Sequence, residues 1–141
     1  MKAYISVSYA KRKFLDKEIN TIIEVLKKIE VTPFVFVDNY RFDLTQERQM
    51  MQQVMIDIES CDLLIAETSD KAIGIGIEVG YAIAMSKPVI YIRQKNTEHS
   101  STVSGISNYQ IVYSDVEDLK THLADTMKKI LTGAPANLNN P

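Results

Sequence analysis

The constraint that most limits this chain is a repeated alternation. Short, continuously apolar runs are separated by stretches whose apolar residues recur at helical spacing. The runs are Ala3 to Val7, Phe34 to Val37, Leu63 to Ala66 and Pro88 to Ile92, with a weaker fifth at Gln110 to Tyr113. A strand that faces water on one side alternates polar and apolar residues; these do not, so both of their faces must be covered. Between them, Lys13 to Glu30 places Phe14, Ile19, Ile22, Ile23, Leu26 and Ile29 on one helical stripe. Val116 to Leu131 does the same with Leu119, Leu123, Met127 and Ile130. A helix from about Asp43 to Ser60 and another from Ile77 to Ser86 complete the alternation. The pattern predicts an α/β fold: a doubly wound, flavodoxin-like, five-stranded parallel sheet of order 2-1-3-4-5, with helices on both faces. Residues 1–132 form one domain, and 133–141 have the composition of a disordered tail.

Such sheets bind ligands beyond the carboxyl ends of their strands, where the strand order reverses. The loops after Val7, Val37, Ala66 and Ile92 are therefore the ones to examine. Arg93 to Asn108 holds six Ser/Thr residues and reads as a long loop. The charge balance narrows the partners. Sixteen basic and 18 acidic residues leave a net charge of −2, which argues against a nucleic-acid polymer as ligand. A single cysteine, Cys61, forms no intrachain disulfide, and no segment has the length of a membrane span. A cytoplasmic protein with no membrane association is expected. His99 and His122 are too far apart to suggest a metal pair. No Walker loop, dinucleotide fingerprint or serine nucleophile elbow is present, so neither cofactor nor metal is expected.

The densest chemical signal is Gly74-Ile75-Gly76-Ile77-Glu78-Val79-Gly80-Tyr81-Ala82. Gly74 and Gly76 would open the loop after the third strand to close approach of a ligand. Glu78 would lie in the first turn of the next helix, either as a reactive carboxylate at the cleft or as a complement to the helix dipole. Gly80 and Ala82 would let that helix lie close to the sheet.

Together with Asp62-Leu63-Leu64-Ile65-Ala66-Glu67 and Lys87-Pro88-Val89-Ile90, this block resembles the nucleoside 2-deoxyribosyltransferase family, which includes deoxynucleoside 5'-monophosphate N-glycosidases. The resemblance runs from Tyr4 to the last helix. It implies that Glu78 attacks the anomeric carbon of a deoxyribonucleoside, giving a covalent glycosyl–enzyme intermediate resolved by a second base or by water. It implies that Tyr4 holds the nucleophile, and that Ser6, Ser8, Lys11 and Arg12 lie on the sugar-phosphate loop. Ser69, Gly74 and Gly76 would line the same pocket. By their place after the second strand, Asp38, Asn39 and Tyr40 could face the base, although a turn that needs Asp and Asn explains them as well. Ser100 and Ser101 would reach a neighbouring subunit's site in a homodimer or higher homo-oligomer.

The chain departs from the family pattern at Val54, where an aspartate ordinarily protonates the base or grips the sugar. Asp57, three residues on, shares that helical face and is the candidate substitute, the alternative being an ordinary surface carboxylate. Two other readings stay open. Tyr4-Ile5-Ser6-Val7-Ser8-Tyr9 also resembles a Toll/interleukin-receptor-like NAD glycohydrolase. Val54 leaves room for a non-catalytic nucleotide-binding module. The substrate is in each case a small nucleoside or nucleotide.

Overall fold

A computed structural model describes residues 1–136; the part of the expected tail from 137 onward lies outside the described residues. Five parallel strands form one sheet of order 2-1-3-4-5. They are β1 (Lys2–Val7), β2 (Thr32–Val35), β3 (Leu63–Glu67), β4 (Val89–Gln94) and β5 (Tyr109–Tyr113). The helices are α1 (Asp16–Lys28, entered through a 3-10 turn at Lys13–Leu15), α2 (Phe36–Asn39), α3 (Glu47–Ser60), α4 (Ile73–Ala84), α5 (Ser101–Ile106) and α6 (Val116–Thr132).

The period-2 geometry of the strands sorts their residues onto two cores. Ala3, Ile5 and Val7 on β1, with Leu63, Ile65, Ile90 and Ile92, pack under α1 and α6. Tyr4 on β1, with Leu64, Ala66, Val89 and Tyr91, packs under α3 and α4. Ser6 and Ser8 share the parity of Tyr4 and so point to the α3–α4 face. The pairing of β1 with β3 sets Ser6 opposite Ala66. The loop after β1 and the start of α4 therefore emerge side by side at the reversal of strand order.

Four local expectations are corrected. The strand read at Phe34 to Val37 is Thr32–Val35, and Phe36 begins the single helical turn of α2. Pro33 fits within it because β2 is an edge strand, where a missing N–H costs no ladder bond on the open side. The helix expected from Ile77 starts at Ile73, so Gly74 and Gly76 lie within α4 rather than in a loop. The polar stretch after β4 contains the short helix α5, capped by the Ser100 hydroxyl on the Val103 N–H. Lastly, a Cβ placed on Gly74, Gly76 or Gly80 meets nothing within 4 Å. Close packing of α4 on the sheet rests on buried Ala82 and Val79, not on Gly80.

Candidate active site

Glu78 is the sixth residue of α4, one turn deeper than the first-turn position expected for it. There the helix dipole acts on it weakly, since that effect fades beyond the first turn. Two hydroxyls from β1 hold its carboxylate. Tyr4 donates to Oε1 at 3.0 Å, and Ser6 donates to Oε2. Burial raises the carboxyl above its ordinary value of 4.5, and the bonds from Ser6 and Tyr4 pull it back down. Tyr4 is 0% exposed. Burial first, then the charge of Glu78, pushes its phenol far upward, so it remains a donor.

Glu78 opens onto a cleft of about 600 Å³, within the range of small-molecule sites. One end is formed by Ser8 and Tyr9 after β1 and by Ala72, Gly74 and Ile75 at the start of α4. Ala72, at the N-cap, supplies no side-chain acceptor, which leaves the first N–H groups of α4 available to an anion there. The other end is aromatic and aliphatic: Phe36, Tyr40, Phe42, Met50 and Met51, with Val54. Tyr40 lies 4.9 Å from Phe36 and 5.6 Å from Phe42, centroid to centroid, both tilted. The arrangement sets a carboxylate oxygen on a cleft lined mostly by aromatic and aliphatic side chains, with Arg41 and Asp43 also on its wall. Among the described residues, no group of three His, Cys, Asp or Glu is arranged to hold a metal ion. No described helix is long and apolar enough to cross a membrane.

Residues 6–134 match the family model described as nucleoside 2-deoxyribosyltransferase. The chain belongs to this family. A protein of Thermofilum pendens, provisionally named 2'-deoxynucleoside 5'-phosphate N-hydrolase 1, is 33% identical over 76 residues. That match spans about half of each chain, 50% of this one and 53% of the relative. Among solved structures, the CMP N-glycosidase of Clostridium botulinum superposes with a TM-score of 0.66 at 21% identity, covering 87% of this chain and 98% of that one. A 2-deoxyribosyltransferase of Bacillus psychrosaccharolyticus gives 0.65 at 16% identity, over 87% and 96%. These neighbours share the fold.

Within this 2-deoxyribosyltransferase fold, the remaining candidates divide. Ser8 lines the cleft, and its hydroxyl donates to Asp70 Oδ2 at 2.5 Å. Arg12 does not line it. Its guanidinium is bidentate on Asp38 (2.9 and 2.8 Å) and also reaches Asp16 at 2.7 Å, so Asp38 is turned to Arg12 rather than to the cleft. Lys11 lies 5.0 Å over the Phe14 ring, outside the cleft lining. Ser69 is occupied elsewhere: its N–H donates to Glu67 Oε1 at 2.6 Å and its Oγ accepts from the Gln94 N–H at 2.8 Å. Gly76 is near the cleft without lining it, while Ser100 and Ser101 lie at α5, away from it.

Asp57 is 7% exposed, not the surface carboxylate that an exposed helix face would give, yet it too is absent from the cleft wall. Gln53 donates to its Oδ1 at 3.1 Å. The residues that sequence reasoning passed over are the apolar wall, above all Phe36, Phe42, Met50 and Met51. Apolar residues next to a strand and on a helix look like core packing, and only the turn of α2 exposes them to the cleft.

Proposed function

We propose that this chain cleaves or transfers the N-glycosidic bond of a 2'-deoxyribonucleoside or its 5'-monophosphate. Glu78 acts as nucleophile through a covalent deoxyribosyl intermediate. The observation that carries this reading is the Glu78 carboxylate, gripped by Tyr4 and Ser6 on a cleft lined largely by aromatic and aliphatic side chains. The base lies against Phe36, Tyr40 and Phe42, which recognise a flat ring by stacking. The sugar lies over Glu78, and a 5'-phosphate, where present, sits against Ser8 and the N–H groups opening α4.

One carboxylate oxygen attacks C1' as the C1'–N bond breaks. The bonding pair leaves with the base nitrogen, which takes a proton from solvent. The developing oxocarbenium charge is stabilised by the adjacent carboxylate. A nitrogen of a second base, or water, then attacks C1', gives up its proton, and returns Glu78 to its starting state. Tyr4 and Ser6 favour the ionised carboxylate before attack and orient it. Val54 puts a methyl-bearing wall where the family places an acid, so base departure relies on solvent protonation. The names of the Thermofilum and Clostridium proteins agree with the hydrolytic branch.

Assembly as a homodimer belongs to the same reading, because Ser100 and Ser101 do not line the cleft of their own chain. Residence in a reducing cytoplasm suits the free, buried thiol of Cys61.

The test incubates wild type and Glu78→Ala with deoxynucleosides, their 5'-monophosphates and NAD, with and without an acceptor base, and follows free base chromatographically. Base release or exchange in wild type, reduced about 10³-fold or more in Glu78→Ala, is expected. Absence of release from every substrate would overturn the proposal, and release from NAD alone would redirect it to the NAD glycohydrolase reading.

A further inference from the structure

The proposed reaction leaves one buried carboxylate unused. Glu67 is the last residue of β3. Strand parity turns it, with Leu63 and Ile65, into the core under α1 and α6, away from the cleft, and it is 0% exposed. A carboxylate placed there forfeits its hydration, a cost that an apolar side chain of the same size would not carry. Two donors hold it. The Tyr113 hydroxyl donates to Oε2 at 2.8 Å, and the Ser69 N–H donates to Oε1 at 2.6 Å. Bonds to a carboxylate are stronger than those between neutral groups. Here one of them is made to loop backbone, not to the core.

That loop, residues 68–72, joins β3 to α4 and is tied at every position from Thr68 to Lys71. The N–H and Oγ1 of Thr68 donate to the Ile92 carbonyl at 2.8 and 3.0 Å. Ser69 Oγ accepts from the Gln94 N–H at 2.8 Å. Asp70 Oδ2 accepts from the Ser8 hydroxyl at 2.5 Å. Lys71 Nζ donates to Glu98 Oε1 at 3.0 Å. Of these ties, the one from Ser8 to Asp70 is the one that reaches the cleft lining. Tyr113, Glu67, Ser69, Asp70 and Ser8 thus make one path, with a single peptide bond in it, from the far core to the cleft.

We propose that Glu67 and Tyr113 are positioning residues for the cleft: by fixing the Ser69 N–H they set the course of the 68–72 loop, so that Asp70 orients Ser8 for the group at C5' of the substrate. The inference rests on the proposed glycosidic function for its ligand, but it concerns recognition of the 5' end and is separable from turnover. The base on the aromatic wall and the sugar over Glu78 are held by other elements. A change at Glu67 therefore weakens what the C5' substituent contributes and leaves the rest.

The experiment measures binding by titration calorimetry in a Glu78→Gln background, so that turnover does not interfere. The ligands are the four common deoxynucleoside 5'-monophosphates and the matching 2',5'-dideoxynucleosides, which carry no group at C5'. Glu67→Met fills a similar volume without an acceptor, and is expected to weaken monophosphate binding roughly 2- to 13-fold. Affinity for the dideoxynucleosides should not change. Glu67→Gln keeps an amide oxygen for the Ser69 N–H and an amide N–H for the Tyr113 oxygen, so it should bind as the background does. Tyr113→Phe should act in the direction of Glu67→Met. Ser8→Ala combined with Glu67→Met should be no weaker than the worse single, because both act through one contact.

Equal losses for the two kinds of ligand would make Glu67 part of the scaffold alone and overturn the proposal. So would a loss in Glu67→Gln as large as in Glu67→Met, additivity with Ser8→Ala, or no monophosphate binding at all. Tyr113→Phe keeps the test open should Glu67→Met fold poorly, and unchanged monophosphate affinity in it would then overturn the proposal. C5'-selective dependence on Glu67 in a protein without turnover would defeat the glycosidic reading alone. Turnover without that dependence would defeat this one alone.

Discussion

Glu78 stands between opposed influences. Burial favours its protonated form, whereas the hydroxyls of Ser6 and Tyr4 favour the ionised form, Ser6 more strongly. In its proposed role as nucleophile Glu78 must be ionised, so the reaction should switch on as pH rises through the carboxyl's elevated value. Ser6→Ala removes a bond made to the charged form. The acid limb of kcat/KM should therefore move to higher pH, with activity near pH 5 falling roughly 10-fold relative to wild type. Tyr4→Phe should shift the limb in the same direction by less. A pH–rate profile of the three proteins checks this; a limb that does not move in Ser6→Ala would mean another group controls it. Glu78 was legible as the glycine-flanked glutamate after β3, and Tyr4 and Ser6 through the resemblance to the family; strand parity then puts both on one face of β1. Their mutual contact needed the register of β1 on β3. The aromatic wall was not legible: Phe36 and Phe42 carry no chemical signature until the backbone turns them outward.

Element boundaries show the same division between what local chemistry states and what tertiary context decides. The alternation of apolar runs with helical stripes sufficed for the sheet order. It failed at β2, where an edge position tolerates Pro33 and the apolar run continues into α2. It failed again at α4, where two glycines suggested a loop but the helix begins before them. Neither they nor Gly80 are there to avoid a clash, since a Cβ at Gly74, Gly76 or Gly80 meets nothing within 4 Å and none of the three has a positive φ. Gly80→Ala should accordingly stabilise the protein by about 0.5–1 kcal/mol through helix propensity and unfolded-state entropy. Activity should be retained. Chemical denaturation reads the gain, and a loss of stability would show that the α4 packing is tighter than the Cβ geometry indicates.

At the scale of the molecule, the sheet separates two cores, and each contains a buried carboxylate. Opposite the cleft, Glu67 is 0% exposed, its Oε2 bonded by the Tyr113 hydroxyl at 2.8 Å. Burial, against the bonds of Ser69 and Tyr113, holds its carboxyl above 4.5. Its folded-state value therefore exceeds that of the unfolded chain. As pH rises past about 4.5, the unfolded state loses this proton first, and stability falls until the folded form ionises too. Relative to wild type, Glu67→Gln should gain Tm progressively from pH 4.5 toward neutrality, as read by thermal melts across that window. A difference independent of pH would show that Glu67 is not the titrating group.

The clamp on Glu78 joins positions 72 and 74 residues apart in the chain. The proposed nucleophile is carried by the later half of the sequence and both its hydroxyl partners by the first strand. A break in the exposed loop between α2 and α3 would leave neither fragment with a working centre. Catalysis would return only when the two pieces found each other, which makes this fold a natural candidate for a split reporter whose signal is its own chemistry.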